Sequence, residues 1–485
     1  MPAIQGWNLT STYTRLPDAF YSHVLPENAP EPKLILFNRR LANQIGLRAD
    51  LATNDELAAY FSGNRLPEGA HPFAQAYAGH QFGHFTMLGD GRAAVLGEQL
   101  TPSGERFDLQ FKGSGKTPYS RRGDGKATLY SMLREYLISE AMHHLGIRSS
   151  RSLAVVATGE PVLRETVNDG AVLMRVMESH LRVGTFEYAR NFVGEDAVST
   201  LLDYAVERHY PELKAAETPA LAFLDAVMER QIALVVDWMR VGFIHGVMNT
   251  DNMGIAGVTY DYGPCAFMNA YSPSTVFSSI DTAGRYAYGQ QPRIAHWNLA
   301  CLAGALLPAI HPDHDTAIAR AQEVLNTFKS RYAEAWLGMM RGKLGLATSD
   351  PDDAALVQSL MDGMEKNGFD YTNTFAYLRN EEPVEGVDEE ADFFRGWMAA
   401  WRKRVAANPN GMADAQRLMA KANPFFIARN HVVEELLSQA RDGRMEGFHL
   451  ALHTLSRPYD AQADVLNLRG LPPEGSGSYK TYCGT

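Results

Sequence analysis

The sequence predicts an α+β protein, with a mixed strand-and-helix N-terminal half followed by a mostly helical C-terminal half. Three observations carry this expectation. Apolar runs of strand character cluster between residues 76 and 177, as expected for sheet-forming segments. Helical patterns dominate from about residue 197 to about residue 456. A polar stretch rich in Gly, Asn, Asp and Tyr, residues 242–290, interrupts those helices. The 485 residues are 45% hydrophobic and 21% charged, which excludes disordered and fibrous classes.

Residues 1–75 read as irregular, proline-containing chain with short helical patches. FTMLGDGRAAVLGEQL reads as two strands around Gly89-Asp90-Gly91, and RFDLQFK as the next strand. GSGKTPYSRRGDGK then forms a polar, glycine-rich loop of the kind that carries function. Leu129, Met132, Leu133, Tyr136 and Leu137 predict an amphipathic helix over 127–145, stopped by Gly146. Residues 151–177 return to strand character, and the tail RGLPPEGSGSYKTYCGT reads as flexible. Three units are expected: 1–185, 186–345 and a helical extension over 346–485.

Lys plus Arg total 45 and Asp plus Glu 56, a net charge of −11. Bulk charge therefore gives no attraction to nucleic acid, although a local basic channel is compatible with it. Cys265, Cys301 and Cys483 are the only cysteines, which fits a reducing compartment rather than a disulfide framework. The N-terminus lacks the pattern of a secretory signal. The most apolar run, Trp297–Ile310, is shorter than the ~20 residues that span a bilayer. A cytoplasmic protein with neither nucleic-acid nor membrane partner is expected.

Two motifs invite familiar readings and fail. GSGKT at 113–117 lacks the first glycine of a phosphate-binding P-loop, since Gln110 stands there. His80 and His84 have zinc-helix spacing, but Gln81 replaces the glutamate and Gly79 and Gly83 weaken any helix. A packed or hydrogen-bonded role is expected of them.

HGVMNTDNMGIAGVTYDYG, from His245 to Gly263, is the informative segment. Its spacing matches the protein-kinase catalytic loop and the Asp-Phe-Gly motif. Asn252 and Asp261 fall where a kinase holds Mg²⁺ through hard oxygen ligands. Val247 occupies the place of the kinase catalytic Asp, while Asp251 lies just before Asn252. Either the site is inert or its proton acceptor has moved. Other kinase parts follow in order. Gly89-Asp90-Gly91-Arg92 offers a glycine-rich cover for phosphates, and Lys112 ends an alternating strand. The helix beyond carries Glu135 and Glu140 as partners for Lys112, and periodicity does not choose between them.

With AYAGHQFGHFTMLGDGRAAVLGEQ, LQFKGSGKTPYSRRGDGKA, REYLISEAMHHLGI, LMRVMESHLRVGTFE, GFIHGVMNTDNMGI and DYGPCAFMNAY, the chain resembles the selenoprotein O (YdiU) family over nearly its whole length. The resemblance implies a two-lobed protein-kinase-like fold with N- and C-terminal helical extensions. It implies a protein adenylyltransferase that moves AMP from ATP onto Ser, Thr or Tyr hydroxyls of other proteins or of itself. Gly89, Gly91, Arg92, Lys112, Asp124, Gly125 and Asp261 are then expected to hold ATP, and Arg175 and Arg182 its phosphates. Asp251 becomes the proton acceptor, Asn252 and Asp261 the ligands of Mg²⁺ or Mn²⁺, and Glu135 the partner of Lys112. UMP transfer, ordinary γ-phosphoryl transfer and an inert ATP-binding scaffold are the alternatives. A bridge between Cys265 and Cys483 is a further open question.

Overall fold

Strand alternation sets both faces of the main sheet. The structure, a computed structural model, describes residues 4–473 and 479–481. Its strands are β1 Leu9–Thr10, β2 Tyr21–His23, β3 Lys33–Phe37, β4 Phe73–Gln75, β5 Ala78–Gln81, β6 His84–Met87 and β7 Ala93–Leu100. They continue as β8 Arg106–Lys112, β9 Ala127–Thr128, β10 Arg151–Leu163, β11 Val167–Met177, β12 Phe243–Ile244 and β13 Ala266–Phe267. The large sheet runs β2-β4-β7-β8-β11-β10-β3, with β1 added on β7 and β9 on β11. Every pairing between its strands is antiparallel, so the class is α+β rather than an alternating parallel fold.

On β8 and β11, Leu109, Phe111, Val172, Met174 and Val176 pack on one face under two short helices, α1 Arg39–Gln44 and α2 Asn54–Ser62. The alternate residues Gln110, Lys112, Leu173 and Arg175 therefore share the other face. That face is covered by α3, Leu129–His144. Thr128 caps α3 by accepting a hydrogen bond from the Ser131 N–H, and Gly146 at φ +79° follows its end. Residues 132–142 of α3 are all buried. Its apolar stripe is therefore narrower than its buried surface, which explains how two glutamates sit in the core.

The C-terminal half packs helices around the polar stretch. It contains α4 Val183–Tyr188, α5 Glu195–His209, α6 Pro219–Val241, α7 Gln291–Ile310, α8 His314–Asn326 and α9 Phe328–Leu344. It ends with α10 Asp353–Asn367, α11 Tyr371–Asn380, α12 Asp392–Val405, α13 Met412–Ala422, α14 Asn430–Arg441 and α15 Glu446–Leu455. Gly242 at φ +72° closes α6 in the left-handed conformation.

Four expectations change. Four short strands, β1 to β4, occupy the stretch expected to be irregular, because segments of two to five residues are too short to show a period. β6 and β7, on either side of Gly89-Asp90-Gly91, do not pair; β6 pairs with β5, and β7 with β4 and β8. The glycine turn thus links two different sheets. Tyr288–Ile310 is long and apolar enough to cross a membrane by length and composition, longer than the run counted from Trp297. Leu299, Leu302 and Leu306 on it are wholly buried, and α7 packs against α6 and α8. The described end of the tail is anchored rather than loose: Thr481 Oγ1 donates to the Pro264 carbonyl at 2.7 Å, and Arg134 Nη1 donates to the Tyr479 hydroxyl at 3.2 Å. Cys483 lies outside the described residues. Cys265 is buried, and burial pushes its thiol up to about 12.

Candidate active site

The shared sheet face of β8 and β11 supplies the first part of the site. Lys112 Nζ lies 2.6 Å from Glu135 Oε2 and 2.5 Å from Asp261 Oδ1. Arg175 reaches Glu135 Oε1 through Nε at 2.9 Å and Nη2 at 2.5 Å, and Gln110 Oε1 through Nη1 at 3.2 Å. Burial alone would raise the Glu135 carboxyl, but Arg175 and Lys112 hold it below its usual value. Glu140 turns to Arg151 and Asn38 instead, so Glu135 is the partner of Lys112.

The polar stretch supplies the second part. Its backbone is fixed by His245, whose ring packs on Trp238 and whose Nε2 lies 3.2 Å from the Tyr260 carbonyl. Asn252 donates through Nδ2 to the Val247 carbonyl at 3.1 Å, leaving its amide oxygen to accept a hydrogen bond or coordinate a cation. Asp261 adopts φ +65°, a left-handed conformation that Asp tolerates better than most residues. Burial would raise its carboxyl, but Lys112, Arg175 and Arg92 hold it far below the ordinary range. It is fixed as a carboxylate.

Asp251 is the opposite case. It is 7% exposed, and its Oδ1 has no hydrogen-bond partner. Burial raises its carboxyl to about 6, against the lowering effect of Arg182. Its carbonyl is held by Arg182 Nη1 at 3.1 Å and the Tyr260 hydroxyl at 2.8 Å. Two glycines press on it. A Cβ on Gly79 would lie 2.6 Å from Asp251 Oδ1. One on Gly184 would lie 2.0 Å from the Ala78 carbonyl oxygen and 3.3 Å from the Asp251 Cα.

The glycine turn and the polar loop close the remaining side. Gly89 at φ +146° has Tyr119 so near that a Cβ would meet the ring at 2.4 Å. Thr117 Oγ1 donates to the Asp90 carbonyl at 2.6 Å, and Ser120 Oγ to that of Gly91 at 2.5 Å. Gly125 at φ +71° lies against Gly115, where any side chain would collide with backbone. Asp124 is gripped by both terminal nitrogens of Arg164, at 2.8 and 3.0 Å.

These parts enclose a cleft of about 550 Å³. Gly89, Gly91, Arg92, Lys112, Asp124, Gly125, Arg175, Arg182, Asp251, Asn252 and Asp261 all line it. So do Asp90 and, not singled out by the sequence, Tyr77, Arg121, Arg122, Lys126, Arg164 and Tyr260. Asp90 stood inside the glycine motif and was legible there. The aromatics were not, since only the fold lays the Arg182 guanidinium 3.9 Å from the Tyr77 ring centre and 5.3 Å from that of Tyr260. Arg92, Lys112, Arg121, Arg122, Lys126, Arg164, Arg175 and Arg182 face only Asp90, Asp124, Asp251 and Asp261 as charges in the lining. A net-acidic chain thus builds one cationic cleft, suited to a polyanion. Arg175 and Arg182 come from the end of β11 and the residue before α4. Arg175 reaches Glu135, Gln110 and, at 3.6 Å, Asp261, while Arg182 donates to the His180 and Asp251 carbonyls and lies 3.6 Å from Asp90 Oδ1.

The failed motifs are also placed. Lys116 of GSGKT is exposed, its N–H donates to Glu27 Oε1, and no helix follows it directly. His80 and His84 lie on the β5–β6 hairpin, opposite Phe85 and Gln81 respectively, and not on a helix. His80 Nδ1 is hydrogen-bonded to Glu187 Oε1 at 2.5 Å.

The chain is similar to known proteins over nearly its whole length. Residues 4–456 match the family model described as protein adenylyltransferase SelO. A protein of Brevibacillus brevis named protein nucleotidyltransferase YdiU is 50% identical over 486 residues, covering 100% of this chain and 99% of that relative. A protein of the same name from Nitrosococcus oceani is 50% identical over 481 residues, covering 99% and 98%. One from Pelagibacter ubique is 49% identical over 481 residues, covering 99% of each chain.

Proposed function

The chain belongs to the SelO family and is a nucleotidyltransferase, and from that premise we propose that it transfers AMP from ATP to Ser, Thr or Tyr hydroxyls of proteins within a two-lobed, kinase-like architecture. The observation that carries this reading is Asp251: a buried carboxylate with a free oxygen, lining a cationic cleft beside oxygen donors. An ordinary kinase would keep its base where Val247 stands.

In this reading the acceptor hydroxyl gives its proton to Asp251 as its oxygen attacks the α-phosphorus. The bond from that phosphorus to the bridging oxygen breaks, and pyrophosphate leaves. A carboxyl pushed up to about 6 by burial is ionised at neutral pH yet more basic than an ordinary one, which suits a general base. Arg182, Arg175 and Lys112 face the phosphates, whose charge would otherwise be buried without compensation. The Gly89–Gly91 turn lets backbone approach the nucleotide, and Arg92, Asp124 and Gly125 complete its cradle.

Asn252 and Asp261 fit Mg²⁺, and Mn²⁺ equally, because one is a free amide oxygen and the other a carboxylate kept ionised. The bound ion would neutralise phosphate oxygens and favour departure of pyrophosphate. Asp261 also orients Lys112, which Glu135 holds from the other side. The free thiols of Cys265 and Cys301 are compatible with a cytoplasmic location.

The test is incubation of the pure protein with Mg²⁺, ATP and acceptor proteins, read by intact-mass spectrometry. A gain of about 329 Da is AMP transfer, and about 80 Da is phosphoryl transfer. The first outcome, lost in Asp261→Ala, is expected. The second would return the protein to γ-phosphoryl chemistry.

A further inference from the structure

His80 was set aside as a zinc ligand because its sequence partner, His84, does not share a helix with it. The fold gives it different neighbours. His80 on β5, Glu187 on α4 and Cys301 on α7 bring a ring nitrogen, a carboxylate oxygen and a thiol sulfur within 4.8 Å of one another. More than 100 residues separate His80 from the other two, so no spacing motif marks them. His80 Nδ1 already lies 2.5 Å from Glu187 Oε1. The Glu187 carboxylate is 3% exposed, with the Thr250 hydroxyl as a further hydrogen-bond partner.

From this cluster we propose that His80, Glu187 and Cys301 form a second metal site, for a Zn²⁺-class cation, separate from the oxygen donors of the cleft. Imidazole, carboxylate and thiolate are the ligand types such a cation takes, at roughly 2.0–2.3 Å. Three protein ligands leave a fourth position for water. The His80 side chain is 27% exposed, which gives solvent and the cation a path. The ring is already oriented, with Trp297 edge-on at 5.2 Å and Phe85 at 5.1 Å. Binding exchanges the His80–Glu187 hydrogen bond for two metal bonds and releases the Cys301 thiol proton to solvent. Burial and the Glu187 charge push that thiol up to about 12, so it becomes a thiolate only when a cation replaces its proton.

The site would tie three elements that meet beside the candidate base. The β5–β6 hairpin carries Gly79, α4 carries Gly184, and the His80 N–H donates to Thr250 Oγ1 at 2.7 Å. The proposal does not depend on the identity of the transferred group. A hard ion such as Mg²⁺ would favour Asn252 and Asp261, and a thiolate-seeking ion the second cluster.

The test is Co²⁺ binding to the full-length, reduced, chelator-treated protein, followed by near-ultraviolet absorption. A thiolate-to-cobalt charge-transfer band at about one equivalent is expected. Among the described residues no sulfur lines the catalytic cleft, so the band must persist in Asp261→Ala and vanish in Cys301→Ser and His80→Ala. Zn²⁺ should displace Co²⁺, bleach the band and raise the Tm of the wild type. Absence of the band in the wild type overturns the site, and that result requires no variant to fold. A band that survives in Cys301→Ser also overturns it, by assigning the sulfur to another cysteine.

Discussion

Asp251 and Asp261 line the same cleft, yet the chain surrounds them in opposite ways. Asp261 meets Lys112 and lies near Arg175 and Arg92, and these cations keep it ionised at any ordinary pH. Asp251 is enclosed by β5 backbone, the start of α4 and the Tyr77 and Tyr260 rings near Arg182, and one of its oxygens is left without a partner. The difference separates two tasks that one residue type can perform. A carboxylate ringed by cations is a poor base and a good anchor for a hard ion. A carboxylate pushed up by burial can take a proton and return it. Environment, rather than identity, sets how readily each carboxyl holds a proton.

The sharpest way to break this comparison is at the anchor. Asp261→Ala should reduce AMP transfer by more than about 10⁴-fold, to background, in an intact-mass time course. Transfer at an appreciable rate would remove Asp261 from the site. Asp251→Asn comes next, with an expected loss of about 10²–10⁴-fold in kcat. Calorimetric ATP affinity should stay near wild type, since this residue is assigned to the acceptor proton rather than to the phosphates.

Glu135→Gln tests what holds the anchor in place. It leaves Lys112 and Arg175 buried with less compensating charge, a loss of about 3–5 kcal/mol in a urea melt. A smaller effect is expected on pH dependence. With Asp251 as the proposed base its ionised form is the active one, so log kcat/KM should rise with pH through about 6 and level off above. Below that point the fall is about tenfold per pH unit. The limb should be absent from the residual activity of Asp251→Asn. The mildest change is Arg164→Ala, which removes a partly exposed pair with Asp124. Its effect on stability should stay within about 1 kcal/mol, with a modest rise in KM for ATP.

The parts of this site differ in how legible they were. β8, β10 and β11 showed alternating or continuous apolar runs, and α3 showed a helical one. The segment from His245 to Gly263 carried enough spacing to place Asn252 and Asp261 together. Glu135 and Glu140 could not be separated by period, because α3 is buried nearly all round and both glutamates find arginine partners inside. The strand before Gly89 was legible as β6, but its pairing with β5 was not, because four-residue strands give almost no periodic signal. The hairpin's two histidines look like a helical pair in sequence and point to different neighbours in the fold. Tyr77 and Tyr260 belong to no chemical motif, and only the structure puts Arg182 against their rings.

Gly79 and Gly184 carry no functional group, yet both bear on how this protein can vary. Each is a place where a hydrogen atom stands and a carbon would not fit, beside Asp251 or the strand that shields it. In a saturation screen scored by activity, these two positions should therefore behave like Asp251 itself, with alanine nearly as damaging as any larger residue. A tolerance map would trace the outline of the active site partly through residues that do no chemistry.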